Sequence, residues 1–166
     1  MNELNKNNAL NTELNIVYRY LRKLGISQAD AEDAVQETAY KYLLYYDSIK
    51  ASKIRSWLIR VALNFYYDQC RKQQRYKLDL DANVTKLVAA DQPEEFFLEK
   101  ERNNHLSFAI SKLKPYFKEL LLLKYQSGLS YKEIAELLGS NINSVRTNLF
   151  RARKQLAKIY KEESDE

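Results

Sequence analysis

The sequence predicts an all-α protein of two small helical domains joined by an acidic linker, and three observations predict it. Apolar residues recur at helical spacing through nearly the whole chain. Only 3 Gly and 2 Pro occur among 166 residues, too few turn-formers for a fold of many short strands. Charge falls in blocks: residues 47–78 carry 8 Lys/Arg against 2 Asp/Glu and residues 112–158 carry 10 against 3, while residues 79–101 carry 2 against 7. Two basic blocks separated by an acidic stretch point to two polyanion-binding modules on a linker, although either block alone also fits a solvated helix face.

The first helix is predicted over residues 12–24, where Leu14, Val17, Tyr18, Leu21 and Leu24 fall on one face. Gly25 supplies its stop. Ser27-Gln28-Ala29-Asp30 is a capping signal for a helix to about Tyr46, with Ala31, Ala34, Val35, Thr38, Tyr42 and Tyr45 turned inward. Asp47 and Ser48 break the pattern, and Ser52 is placed to cap a third helix running to about Tyr76. That helix carries Ile54, Trp57, Leu58, Val61, Ala62 and Phe65 as its apolar set. From about Leu78 to Gln92 the periodicity fades, and this acidic segment is expected to be a mobile or extended linker. Pro93 suits the first turn of a helix to about Leu113, and Pro115 opens another to Gln126, ended by Gly128. Ser130-Tyr131-Lys132-Glu133 reads as a capping box before a short helix ending at Gly139, and a last helix runs from about Ile142 to Tyr160. The expected boundaries are residues 1–77, linker 78–92 and residues 93–166.

Several function classes are excluded by what the chain lacks. Residues 1–8 are polar, so no secretion signal is expected, and no window approaches the apolar length of a membrane span. Cys70 is the single cysteine and His105 the single histidine, so neither a disulfide nor a metal site is expected. No nucleophile–base pair or phosphate-binding glycine loop appears. The expectation is a cytoplasmic, non-enzymatic protein without cofactor, whose 13 tyrosines serve mostly in packing.

Residues 131–150 read as a helix-turn-helix. Ala135 is small where two helices cross, Gly139 can adopt the left-handed turn conformation, and Val145 is the buried residue of the second helix. Ile134, Leu138 and Leu149 complete the core positions. The second helix would then offer Asn143, Ser144, Arg146, Thr147, Phe150 and Arg151 outward to a major groove and its phosphates, with Arg153 and Lys154 extending the basic face.

The N-terminal half narrows the class. Asp30-Ala31-Glu32-Asp33-Ala34-Val35-Gln36-Glu37-Thr38 resembles the opening of the core domain of extracytoplasmic-function sigma factors. Ile54-Arg55-Ser56-Trp57-Leu58-Ile59-Arg60-Val61-Ala62-Leu63-Asn64, followed by Asp68 and Arg71, resembles that family's promoter-binding helix. Leu129-Ser130-Tyr131-Lys132-Glu133-Ile134-Ala135 and Leu149-Phe150-Arg151-Ala152-Arg153 are similar to its second domain. Leu63 departs from the Arg that often precedes the Asn. Leu43 departs from a common aromatic, a change expected to matter only for packing.

The resemblance implies a division of labour. Glu32, Asp33, Gln36 and Glu37 would meet the clamp helices of the β′ subunit of core RNA polymerase, and the second domain would sit at the β flap. Asn64 would read a flipped base of the minus-10 element, while Arg55, Trp57, Arg60, Arg71 and Lys72 would stack or contact phosphates during melting. Trp57 also fits a core position, and Asp68 fits a role in orienting a basic neighbour. Asn143, Ser144, Arg146, Thr147, Arg151 and Arg153 would contact the minus-35 element. An anti-sigma factor is a candidate partner, and no membrane insertion is expected. The competing reading is an autonomous helix-turn-helix regulator that binds a palindromic operator as a dimer. Residues 12–46 argue against it, because they lack the alternating strands of a receiver domain.

Overall fold

The computed structural model describes residues 3–79 and 104–165, and every regular element among them is a helix. The chain divides into two compact units, Met1–Gln92 and Pro93–Glu166. The linker expected over 78–92, from residue 80 onward, and the helix start expected at Pro93 lie outside the described residues.

Among the described residues, the first unit is a three-helix assembly. Helix α1 (Glu3–Lys23) begins earlier than the apolar periodicity, with Glu3 in its first turn and Arg22 and Lys23 in its last, matching the helix dipole. Val17, Tyr20 and Leu21 are its buried residues. Its stop is a Schellman motif: Gly25 takes φ 94°, Gly25 N donates to Arg22 O and Ile26 N donates to Leu21 O. Leu21 and Ile26, both buried, make the hydrophobic closure of that motif. Helix α2 (Gln28–Tyr45) is capped as expected, the Ser27 Oγ accepting from Asp30 N at 3.2 Å. Its buried face is Ala31, Ala34 and Thr38, small side chains that let α2 sit close to its two neighbours, and the Thr38 hydroxyl is satisfied by the Ala34 carbonyl at 2.6 Å.

Three expectations for this unit need correction. Tyr45 is exposed rather than inward, because α2 ends there and the 3-10 turn Tyr46–Ser48 carries the chain past the end of the core. Ser52 lies inside a second 3-10 turn, Ala51–Lys53, so it is not the residue at the boundary of α3 (Ile54–Asp79). The buried side of α3 is Leu58, Ile59, Ala62 and Leu63, while Val61 is only half-buried. The apolar set is broader than one stripe because α3 packs against both α1 and α2. Leu63, 7% exposed, belongs to this interior, which accounts for an apolar residue there.

The second unit contains α4 (Asn104–Ser111), α5 (Pro115–Leu121), a π turn (Leu122–Gln126), α6 (Tyr131–Leu138) and α7 (Ile142–Ser164). Leu120, Leu121, Leu122 and Leu123 are all buried. Four successive positions cannot share one face of a regular helix, so the segment is enclosed by partners on several sides, with α5 against α7 and the π turn against α6. The single helix expected over 115–126 is instead an α-helix continued by a wider turn, which Gly128 ends at φ 69°. Helix α7 runs four residues past the expected Tyr160, and Glu163 near its end pairs with Lys112 after α4 at 3.7 Å. Tyr20 is fully buried, but Tyr40, Tyr45, Tyr46, Tyr67, Tyr116, Tyr125 and Tyr160 are exposed, so packing does not explain most of the tyrosines.

Candidate nucleic-acid interface

In the first unit, burial of Ala31, Ala34 and Thr38 leaves the opposite side of α2 facing solvent. Glu32, Asp33 and Gln36 are exposed there, and Glu37 is half-buried. Gln28 Nε2 donates to Glu32 Oε1 at 3.0 Å, and Glu37 lies 3.9 Å from Lys41 in a solvent-exposed pair of little energetic weight. Asp33 and Gln36 are one turn apart, and Tyr40, Leu43 and Leu44 continue down the helix from them. These last three are exposed by 59%, 62% and 57%, an apolar patch that periodicity alone did not reveal. Leu43, expected to matter only for packing, packs into no core of this unit.

Helix α3 presents the other candidate face. Arg60, Asn64, Asp68 and Arg71 recur at spacings of three and four residues and are all exposed, as are Lys72 and Arg75. Asp68 pairs with Arg71 one turn on. The two earliest candidates are placed differently. The Arg55 guanidinium is held by Glu13 of α1, Nε to Oε2 at 2.7 Å and Nη2 to Oε1 at 2.9 Å. Trp57 is half-buried, with its ring edge-on to Tyr42 at 6.3 Å between centroids. Positions 55 and 72 are about 25 Å apart along the helix axis at ~1.5 Å per residue, so the six candidates form a track rather than one pocket. Farther along, a hydrogen bond between Tyr66 and half-buried Cys70 pushes the phenol up to about 12, with burial as the second cause.

In the second unit the helix-turn-helix forms at the expected residues, except that Leu138, expected in the core, is half-buried at the end of its helix. Ser130 and Glu133 make a reciprocal capping box at the start of α6, and Ile134 and Ala135 are buried. Gly139 closes α6 at φ 65°, and Asn141 caps α7 by accepting from Ser144 N at 2.8 Å. Val145, Leu149 and Ala152 are the buried side of α7. Asn143, Arg146, Thr147, Phe150 and Arg151 are therefore exposed on the other side, with Ser144 and Arg153 half-buried. A cleft of about 610 Å³ opens between α6 and α7, bordered by Lys132, Glu136, Asn141, Asn143 and Arg146.

Aromatic residues outside α7 support its cations. Arg153 Nη1 donates to the Tyr125 hydroxyl at 3.0 Å, a bond that raises the guanidinium pKa further. Arg146 lies 5.5 Å from the centre of the Tyr131 ring, which also carries Lys124 at 4.5 Å. Within α7 itself, Lys154 stands 5.2 Å over Phe150. Cation spacing was legible in sequence, whereas Tyr125 and Tyr131 as their supports were not, because the contact spans separate elements. His105 is exposed, and among the described residues no three His, Cys, Asp or Glu side chains gather as metal ligands. Among the same residues, no helix is long and apolar enough to cross a membrane.

Each unit thus joins a packed helical core to an exposed cationic helix face, and the class so defined is a two-module helical DNA-binding protein. Residues 10–76 match the Sigma-70 region 2 family and residues 105–156 match Sigma-70 region 4. ECF RNA polymerase sigma factor SigM of Bacillus subtilis is 30% identical over 89% of this chain and 90% of its own length. ECF RNA polymerase sigma factor SigE of Mycolicibacterium smegmatis is 30% identical over 90% of this chain, which spans 59% of that relative. The sigma factor RpoE of Bartonella quintana, solved in complex with the anti-sigma factor NepR, superposes with a TM-score of 0.66 at 25% identity, covering 95% of this chain and 97% of that one. The chain belongs to the extracytoplasmic-function sigma factors of RNA polymerase.

Proposed function

We propose that this chain lends promoter recognition to core RNA polymerase as an alternative sigma factor without catalytic activity of its own, working in the cytoplasm. The observation that carries this reading is the pairing of two exposed cationic helices, α3 and α7, on separate units that match Sigma-70 region 2 and Sigma-70 region 4. A chain with α7 alone would fit an operator-binding dimer equally well, and the α2–α3 pair favours the polymerase subunit.

In this reading residues 1–77 form the polymerase and minus-10 module, 78–92 the linker and 93–166 the minus-35 module. Glu32, Asp33, Gln36 and Glu37 meet the β′ clamp helices, and exposed Tyr40, Leu43 and Leu44 extend that surface with apolar area. Asn64 reads a minus-10 base, flanked by Arg60, Arg71 and Lys72 on phosphates. Arg55 and Trp57 act through the placement of α3, given their partners Glu13 and Tyr42. On α7, Thr147 and Arg146 face base edges, and Asn143, Ser144, Arg151 and Arg153 serve the phosphates. The second unit sits at the β flap. By analogy with RpoE and its NepR complex, an anti-sigma factor that covers these faces is the expected negative regulator.

Run-off transcription with core polymerase and a randomised promoter library tests the proposal. Enrichment of paired minus-10 and minus-35 elements is the expected result. A single palindrome bound tightly without polymerase would establish the regulator instead.

A further inference from the structure

We infer that Tyr131 is a positioning residue for the recognition helix: its ring holds the Arg146 guanidinium at the rim of the α6–α7 cleft and so sets discrimination at the upstream promoter element. This inference rests on the proposed reading of α7 as a DNA-reading helix. Tyr131 is the first residue of α6, and the Ser130–Glu133 capping box fixes its backbone. Its half-buried ring stands 5.5 Å from the Arg146 guanidinium. Lys124 of the π turn lies 4.5 Å from the same ring and donates to the Leu129 carbonyl at 3.4 Å, which ties the ring to the segment before α6.

The chemistry follows from how a guanidinium binds. An exposed arginine loses rotamer freedom when it engages a base edge, and a contact that already holds it in the free protein reduces that loss. A cation–π contact uses the charge of the guanidinium and leaves its planar N–H fork available for bidentate recognition of a guanine edge or a phosphate. Arg153, two turns along α7 from Arg146, is held in a parallel way by the Tyr125 hydroxyl at 3.0 Å. The two tyrosines come from outside α7, so the side chains that aim its cations are not those that touch DNA.

The test uses the full chain with core polymerase and a promoter selected by the wild-type holoenzyme from a library randomised at the upstream element. Transcription is compared on the selected element and on its single-base variants, for Tyr131→Phe, Tyr131→Leu, Arg146→Ala and the Tyr131→Leu/Arg146→Ala pair. Tyr131→Phe should keep wild-type discrimination. Tyr131→Leu should lose about two- to fivefold, the range expected of an exposed cation–π contact. In the Arg146→Ala background Tyr131→Leu should remove nothing more. A loss in Tyr131→Phe equal to that in Tyr131→Leu would assign the effect to the hydroxyl, which also bonds Arg153, rather than to the ring, and overturn the inference, as would additive effects in the double variant. Unchanged discrimination in Arg146→Ala overturns both this inference and the assignment of Arg146 beneath it. A loss in Arg146→Ala with none in Tyr131→Leu overturns this inference alone. A second readout needs no leucine variant: the Arg146 Nε–H resonance, assigned by its absence from Arg146→Ala, should show a ring-current shift in the wild type and in Tyr131→Phe. A random-coil position in the free wild-type protein overturns the inference.

Discussion

Arg55 and Asn64 sit on one helix less than three turns apart, yet one is tied to a neighbouring helix and the other faces solvent. The Arg55 guanidinium directs two parallel N–H groups at the Glu13 carboxylate, and both side chains are partly withdrawn from solvent, 33% and 25% exposed. Bidentate geometry and partial burial make this pair stronger than an exposed one. Glu13→Gln is therefore expected to lower stability by about 1–2 kcal/mol in urea denaturation, by removing the charge from a charge-assisted bond. If Arg55 instead served mainly as a DNA contact, Glu13→Gln would leave stability unchanged. Asn64 is exposed on the outer side of α3, in line with Arg60 and Arg71. Opening a duplex disrupts stacking of about 1–2 kcal/mol per step, and a captured base recovers about 1–3 kcal/mol. Asn64→Ala should leave polymerase binding intact and reduce opening, seen as lower permanganate reactivity of minus-10 thymines. A promoter already unpaired at that element should restore part of the loss. Wild-type opening on duplex DNA would remove Asn64 from the mechanism.

Helix α2 shows how burial of small residues leaves the larger side chains of a helix outside. Ala31, Ala34 and Thr38 seat it against α1 and α3, so its larger polar and apolar side chains are left outside. Asp33→Arg combined with Gln36→Ala should weaken co-purification with core polymerase while circular dichroism stays unchanged, since both positions are exposed. Retained binding would move the interface off α2. The turn between α6 and α7 depends on backbone instead. Gly139 has φ 65°, and a Cβ built there meets nothing within 4 Å. The left-handed conformation alone then sets the penalty, and Gly139→Ala is expected to cost about 1 kcal/mol in thermal unfolding. A much larger loss would mean that the turn is crowded.

Across the whole chain, the two units each possess a closed set of buried residues. Val17, Leu21, Leu58 and Ile59 belong to the first, and Leu120, Leu123, Ile134 and Leu149 to the second. Separate fragments 1–92 and 93–166 should therefore each show helical spectra and a cooperative melt. A fragment that is helical only when its companion is added would mean that one unit completes the core of the other. The charge blocks follow the same division, with each cationic helix in its own unit and the acidic stretch between them in sequence.

Helix spacing, the Ser27 and Ser130 caps, the Gly25 and Gly139 stops and the Ala135–Gly139–Val145 pattern were all legible in the sequence, because each depends on neighbours within about two turns. The family motifs carried the proposed division between a polymerase face on α2, a minus-10 face on α3 and a minus-35 face on α7. Contacts between elements were not legible. Nothing local distinguishes Arg55, bound to a carboxylate 42 residues away, from Arg60 on the same helix. Nor does local pattern show that Tyr20 is interior while Tyr40 and Tyr45 face solvent, since an amphipathic ring suits either place. Neither the π turn at Leu122–Gln126 nor the burial of four consecutive leucines was legible, since such burial needs partners on several sides. Sequence alone determined which helices form and which cations share a face. Tertiary packing decided which cations are tied down and which tyrosines support them, because those choices depend on residues that only folding brings within a few ångströms.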